Sequence, residues 1–300
     1  MRPLRYILVY FGIVFLGGAL LAPWLYQLTQ AVANVSPSFQ KLADQPFHRY
    51  VNRSLLVLAI LGLWPFLRST GLCSWRAVGL GKEPGIGRKV CAGFALGFGS
   101  LAGVALLALA AGTRSLNLDQ STFDLLKHLM SAALTATVVA ILEELVFRGA
   151  LFGAMRQAWP WPKALIISSM IYALLHFFQR PEPLSHIDWA SGLALLPRMM
   201  RGFGELEQLI PGFLSLTLVG VCLGLAYQWL GNVYFSIGLH AGWIFWLKSY
   251  GFLTRENAGA NTWLWGTHKL IDGWMAFIIL ALVLLGLRRQ FARGQSQPAP

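Results

Sequence analysis

Three hundred residues, 56% of them hydrophobic and only 12% charged, carry a net charge of +12 and a mean hydropathy of +0.57. Apolar runs of about 20 residues recur along the whole chain, which excludes a conventional soluble domain and indicates one polytopic membrane domain. The positive charge is not a nucleic-acid footprint: Lys and Arg sit mostly between or beyond the apolar runs, with no zinc-finger spacing, phosphate-binding loop or basic helix among them.

The fold expected from these runs is all-α, a polytopic membrane helix bundle of about eight transmembrane helices. The opening "MRPLRYILVYFGIVFLGGALLAPW" has a basic start and an apolar run longer than a signal-peptide core, so Tyr6–Leu28 reads as an uncleaved first span. Further spans are expected over Leu55–Leu67, Val90–Gly112, His128–Met155, Ala164–Phe178, Leu209–Leu230, Val233–Leu247 and Ile271–Leu287. The second and seventh are short, which leaves seven or nine spans open. The tail "GQSQPAP" is polar and Pro-rich and is expected to be disordered.

Basic residues orient the bundle. Arg68, Arg76, Lys82, Arg88 and Lys89 lie between the second and third spans, and Arg288, Arg289 and Arg293 lie in the tail. The excess places that link and both termini in the cytoplasm, with a bacterial inner membrane as the expected setting; Lys41, Arg49 and Arg53 on the other side oppose it. Cys73, Cys91 and Cys222 are scattered and form neither a CxxC pair nor a disulfide framework. Glycines four apart, Gly93 with Gly97, Gly99 with Gly103, Gly220 with Gly224 and Gly238 with Gly242, suggest close helix packing, although Gly is common in membrane helices anyway. The last pair brackets His240.

The charged stretch "ILEELVFRGAL", Ile141–Leu151, stands apart from this pattern. Of twelve acidic residues, Glu143 and Glu144 are the two that fall deep inside an expected span. An acidic or basic residue at the centre of a membrane helix costs roughly 2.5–3.5 kcal/mol on insertion scales. Glu144 and Arg148 are four apart, share a helix face and can pair. Glu143 points about 100° away around the helix and is left outside that pair. A buried ion pair that only fixes the bundle accounts for Glu144 and Arg148; it does not account for a second carboxylate, which adds like-charge repulsion. Carboxylates withdrawn from bulk water suit general-base chemistry on a water molecule. Two histidines inside expected helices, His176 in "SSMIYALLHFF" and His240 in "FSIGLHAGWIF", supply the remaining groups for such chemistry. His48, His128, His186 and His268 fall in loops or at span edges, where solvation is the expectation.

These motifs resemble those of the CAAX-protease and bacteriocin-processing family (CPBP), the glutamic-type intramembrane proteases similar to the Ras-converting enzyme. "EELVFRG" fits the family's EExxxR signature, "YALLH" its aromatic residue four before a histidine (Tyr172 and His176), and His240 the histidine of its third motif. The resemblance covers roughly Ser131–Trp246. It implies an eight-helix bundle and peptide-bond hydrolysis within or at the edge of the membrane. Glu143 would be the general base on water, with His176 helping to position or deprotonate that water. Glu144 and Arg148 would support Glu143's helix, and His240 would stabilise the oxyanion. The expected organisation is residues 1–127 with helices one to three, a catalytic core at 128–250, and a last loop, helix and tail at 251–300.

One position departs from the family. An asparagine, a second oxyanion donor, usually follows the third-motif histidine by four residues, and here that residue is Ile244. Asn232 is a poor geometric substitute. Zinc held by Glu143, His176 and His240 is the alternative to metal-free catalysis with no cofactor, but no HExxH is present and adjacent glutamates diverge on a helix. Two other functions stay open: a proton-coupled transporter, without the internal repeat that would support one, and a silent scaffold or immunity protein, which Ile244 favours. No GxSxG or paired intramembrane aspartates point to another protease class. The partners implied are the lipid bilayer and a membrane-associated peptide or protein substrate, prenylated or not. A lid or substrate-access role is expected for the loop Gln179–Gln208 that follows His176.

Overall fold

A computed structural model of the chain describes residues 2–295 apart from 179, 180, 182, 183, 185 and 205. The last tail residues, 296–300, lie outside the described residues, as do parts of the loop Gln179–Gln208 for which a lid role is expected. The described chain is almost wholly helical. In chain order it forms α1 (Arg2–Gly12), α2 (Gly18–Val35), α3 (Gln40–Ala43), α4 (Phe47–Ser69) and α5 (Ile86–Ala110). Strand β1 (Arg114–Leu116) precedes α6 (Thr122–Glu144), α7 (Gly153–Met155), α8 (Trp161–Leu175) and α9 (Ser191–Met199). Then come α10 (Leu206–Leu230), α11 (Tyr234–Leu253), β2 (Thr254–Glu256), α12 (Thr262–Trp265) and α13 (Trp274–Gln295).

Five helical stretches are long and apolar enough to cross a membrane: Pro3–Val35, Phe47–Ser69, Ile86–Ala110, Thr122–Met155 and Leu209–Leu230. The chain is thus an all-α membrane helix bundle, as its composition predicts, and among the described residues length and hydropathy single out five of the about eight spans expected. The expected spans over Ala164–Phe178, Val233–Leu247 and Ile271–Leu287 fall on α8, α11 and α13, and α8 has only 15 residues. The second expected span is too short by two turns. Phe47, Tyr50, Val51 and Ser54 are buried on one face at helical spacing, and this amphipathic face starts α4 well before the apolar run at Leu55.

The helices form two compact units, Met1–Cys73 with Phe177–Glu205, and Ser74–His176 with Leu206–Pro300. The first has a core of Ala22, Phe47, Tyr50, Val51, Leu195 and Met199. There α9 lies against α2 so closely that any side chain at Gly192 would collide with the Ala19 carbonyl.

The second unit is built around the contact of α5 with α11. A Cβ on Gly93 or Gly97 would collide with the carbonyl oxygen of Phe235 or Leu239, and one on Gly238 with that of Val90. Two of the four glycine pairs thus interlock across one helix pair. Gly220 and Gly224 face Ser169 and Leu165 on α8, whereas Cβ atoms on Gly99 and Gly103 would meet open space among the described residues. The Trp243 indole donates to Ser100 Oγ and the Trp246 indole to the Phe98 carbonyl, both at 2.9 Å, which locks the same pair. A two-stranded antiparallel ribbon, with Arg114 opposite Glu256, clips the chain after α5 to the end of α11. Ser121 caps α6, accepting from the Asp124 amide at 3.1 Å.

Candidate active site

The charged motif lies in the long helical stretch Thr122–Met155. Regular α-helix ends at Glu144, and Leu145–Phe152 is wound as a π-helix before α7 continues. Such wide turns are uncommon and cluster at functional positions. Gly149 lies against the loop before α5, where a Cβ would come 2.8 Å from the Val78 carbonyl oxygen; the residue after Arg148 therefore has to be small.

Arg148 and Glu144 pair as their spacing predicts, with Nη1 2.9 Å from Oε1 and both side chains buried. The guanidinium also lies 4.8 Å above the Tyr172 ring on α8, close enough for a cation–π contact. The same Glu144 Oε1 is 2.8 Å from Nδ1 of His240. A carboxylate beside an arginine is an acceptor, so the hydrogen in this contact belongs to Nδ1. Nε2 of His240 then points the other way, 3.1 Å from the Tyr172 hydroxyl and 3.7 Å from Glu143 Oε2.

His240 is buried because α11 is enclosed on every side at this level: each residue from Ser236 to Ile244 is buried. His176 sits at the C-terminal end of α8, and its Nδ1 is 2.8 Å from the Tyr172 carbonyl one turn earlier. A carbonyl can only accept, so Nδ1 carries the hydrogen and Nε2 faces Glu143 Oε2 at 3.7 Å. The two imidazoles thus turn their Nε2 atoms to one carboxylate oxygen. Glu143 is 27% exposed and His176 30%, against 0% for Glu144 and 3% for His240. The adjacent glutamates are separated into one that meets solvent and one that does not.

Glu143, Tyr172, His176 and His240 line one cavity of about 290 Å³. The rest of its wall is apolar apart from Lys248, and includes Trp243 and Ile244 one turn on from His240. Ile244 thus lines the same cavity as His240 and offers only hydrocarbon there. Asn232 lies elsewhere in purpose: its side chain donates to the Leu230 carbonyl at 2.8 Å and accepts from the Tyr234 amide, shaping the turn into α11.

The tertiary structure adds a group that residue spacing did not single out. Tyr172 counts in the sequence only as the aromatic residue before His176; its hydroxyl, on a side chain with 2% exposure, is a further polar group in the cavity, beside Glu143 and the two histidines. That it is tyrosine rather than phenylalanine was the available signal. His128 is also less free than its edge position suggests, stacked on Phe252 at 3.9 Å with Nε2 3.1 Å from the Lys248 carbonyl. Among the described residues no group of three or more His, Cys, Asp or Glu side chains is arranged to hold a metal ion. His240 illustrates why, since Glu144 takes one ring nitrogen and Tyr172 approaches the other.

The protein-family model described as type II CAAX prenyl endopeptidase, Rce1-like, matches residues 125–246. That interval contains Glu143, Glu144, Arg148, Tyr172, His176 and His240, the residues that carry the resemblance in the sequence. No curated protein and no solved structure matches the chain.

Proposed function

On the premise of that family match, we propose that this integral membrane protein is an intramembrane endopeptidase in which Glu143, assisted by His176, activates the water that cleaves a peptide bond. The observation that carries the reading is the position of Glu143: half-buried in the cavity, with the Nε2 atoms of His176 and His240 each 3.7 Å from its Oε2. A water between Glu143 and His176 would be held by two groups able to accept its hydrogens.

The chemistry then runs without a metal. Glu143 takes one proton from the water as the oxygen attacks the scissile carbonyl, forming the C–O bond and placing negative charge on the carbonyl oxygen. His240, as an imidazolium whose Nδ1–H is held by the Glu144 carboxylate, faces that charge through Nε2–H. The tetrahedral carbon collapses, the C–N bond breaks, and the leaving amine receives the proton from Glu143. Glu144 and Arg148 touch no reacting atom; they fix the His240 ring and the helix that carries Glu143. The substrate class suggested by the family's description is a CAAX-type prenylated peptide at the membrane.

The test is cleavage of a quenched-fluorescence prenylated CAAX-type peptide, and of its unprenylated twin, by the full chain in proteoliposomes. Glu143→Gln and His176→Ala should abolish turnover, and a chelator should leave the wild type unchanged. Full activity in Glu143→Gln would sink the general-base role. Activity lost on chelation and restored by zinc would replace the metal-free mechanism with a zinc site at Glu143, His176 and His240. Cleavage of the unprenylated twin at the same rate would remove the prenyl group from the substrate definition.

A further inference from the structure

We propose that the Tyr172 hydroxyl is a second oxyanion donor, doing in this chain what an asparagine at position 244 would do; the inference rests on the peptidase reading above. The geometry comes from three facts. The hydroxyl lies 3.1 Å from Nε2 of His240, the atom that faces the reacting carbonyl. Tyr172 and Ile244 line the same cavity, so the polar group present and the polar group missing address one space. The tyrosine is held in place from three sides, by the Arg148 guanidinium 4.8 Å from its ring centre, the edge-on Phe147 ring at 5.0 Å and the His176 ring at 4.3 Å.

Hydrogen bookkeeping then makes the donor available at the right step. While His240 is neutral its hydrogen is on Nδ1, bound by Glu144, and Nε2 accepts from the phenol. In the imidazolium form that the mechanism above uses, Nε2 is itself a donor and can no longer accept. The phenol hydrogen is then released to the carbonyl oxygen as negative charge builds there. A hydroxyl on a side chain buried to 2% exposure and fixed by its neighbours gives such a bond little reorganisation. No proton leaves Tyr172 in this scheme, so the balance of the hydrolysis is unchanged.

The experiment uses a peptide that the wild type cleaves in proteoliposomes. Tyr172→Phe keeps the ring and its contacts and should lower kcat by about 10²–10³-fold, the usual effect of removing one oxyanion donor. KM should stay within about twofold, since the bond forms only in the transition state. Adding Ile244→Asn to Tyr172→Phe should return at least about tenfold of the lost kcat by supplying the amide donor. Wild-type kcat in Tyr172→Phe, a loss expressed mainly in KM, or no gain from Ile244→Asn would each overturn the inference. Glu143→Gln separates the two levels: inactive Glu143→Gln beside fully active Tyr172→Phe removes only the Tyr172 role, whereas active Glu143→Gln removes the peptidase mechanism itself.

Discussion

Glu144 and His240, 96 residues apart in the chain, meet at 2.8 Å inside the helix bundle, and the Glu144 oxygen that joins them also holds Arg148 at 2.9 Å. One buried carboxylate therefore fixes both the ring that faces the cavity and the helix that carries Glu143. Arg148→Met leaves this carboxylate buried without its cation and should lower stability by about 3–5 kcal/mol, measured by thermal unfolding in detergent. Glu144→Leu with Arg148→Met should recover most of that loss while His240 stays unheld and turnover stays low. Recovery of both stability and turnover would show that the pair has no part in positioning.

Glu143 differs from its neighbour in exposure, and its removal should be felt in the chemistry alone. Glu143→Gln should cost about 10²–10⁴-fold in kcat as a lost general base. Its melting temperature should match the wild type's, since Oε2 has no hydrogen-bond partner among the described residues. A lowered melting temperature in parallel with the lost activity would recast Glu143 as structural.

The glycine pairs divide into two classes. Gly97→Ala forces a methyl against the Leu239 carbonyl at the α5–α11 contact, where backbone rather than a flexible side chain must yield. A loss of about 1–3 kcal/mol or more is expected there. Gly103→Ala on the same helix meets open space and should stabilise the helix by about 0.5–1 kcal/mol. Equal effects at the two positions, read by unfolding in detergent, would contradict the packing.

Acid should loosen the start of α9 before the rest of the first unit. The bond from the Ser191 hydroxyl holds the Asp188 carboxyl below its ordinary range, helped by the Ala190 and Ser191 amides. A carboxyl depressed in the folded state contributes stability above its unfolded value of 3.8, lost as pH falls through its lower folded value. Amide exchange at Ala190 and Ser191 should therefore accelerate below about pH 4; Asp188→Asn should remove the pH dependence.

Much of this protein was legible along the chain. Runs of apolar residues determine a helical membrane bundle because lipid offers the backbone no hydrogen-bond partner, so each span must satisfy its own peptide groups. The spacing of Glu144 and Arg148 determines their pairing, since four residues return to one helix face. Adjacency determines that Glu143 points elsewhere. What the spacing cannot specify is which side of α11 meets which side of α6 and α8. The interlocked Gly93, Gly97 and Gly238 set that rotation, and with it the meeting of His240 with Glu144, the shared 3.7 Å approach of both imidazoles to Glu143, and the hydroxyl of Tyr172 beside them. These contacts join residues far apart in the chain through close-packed backbones. Only the folded bundle, where a few tenths of an ångström decide whether helices can approach, determines them.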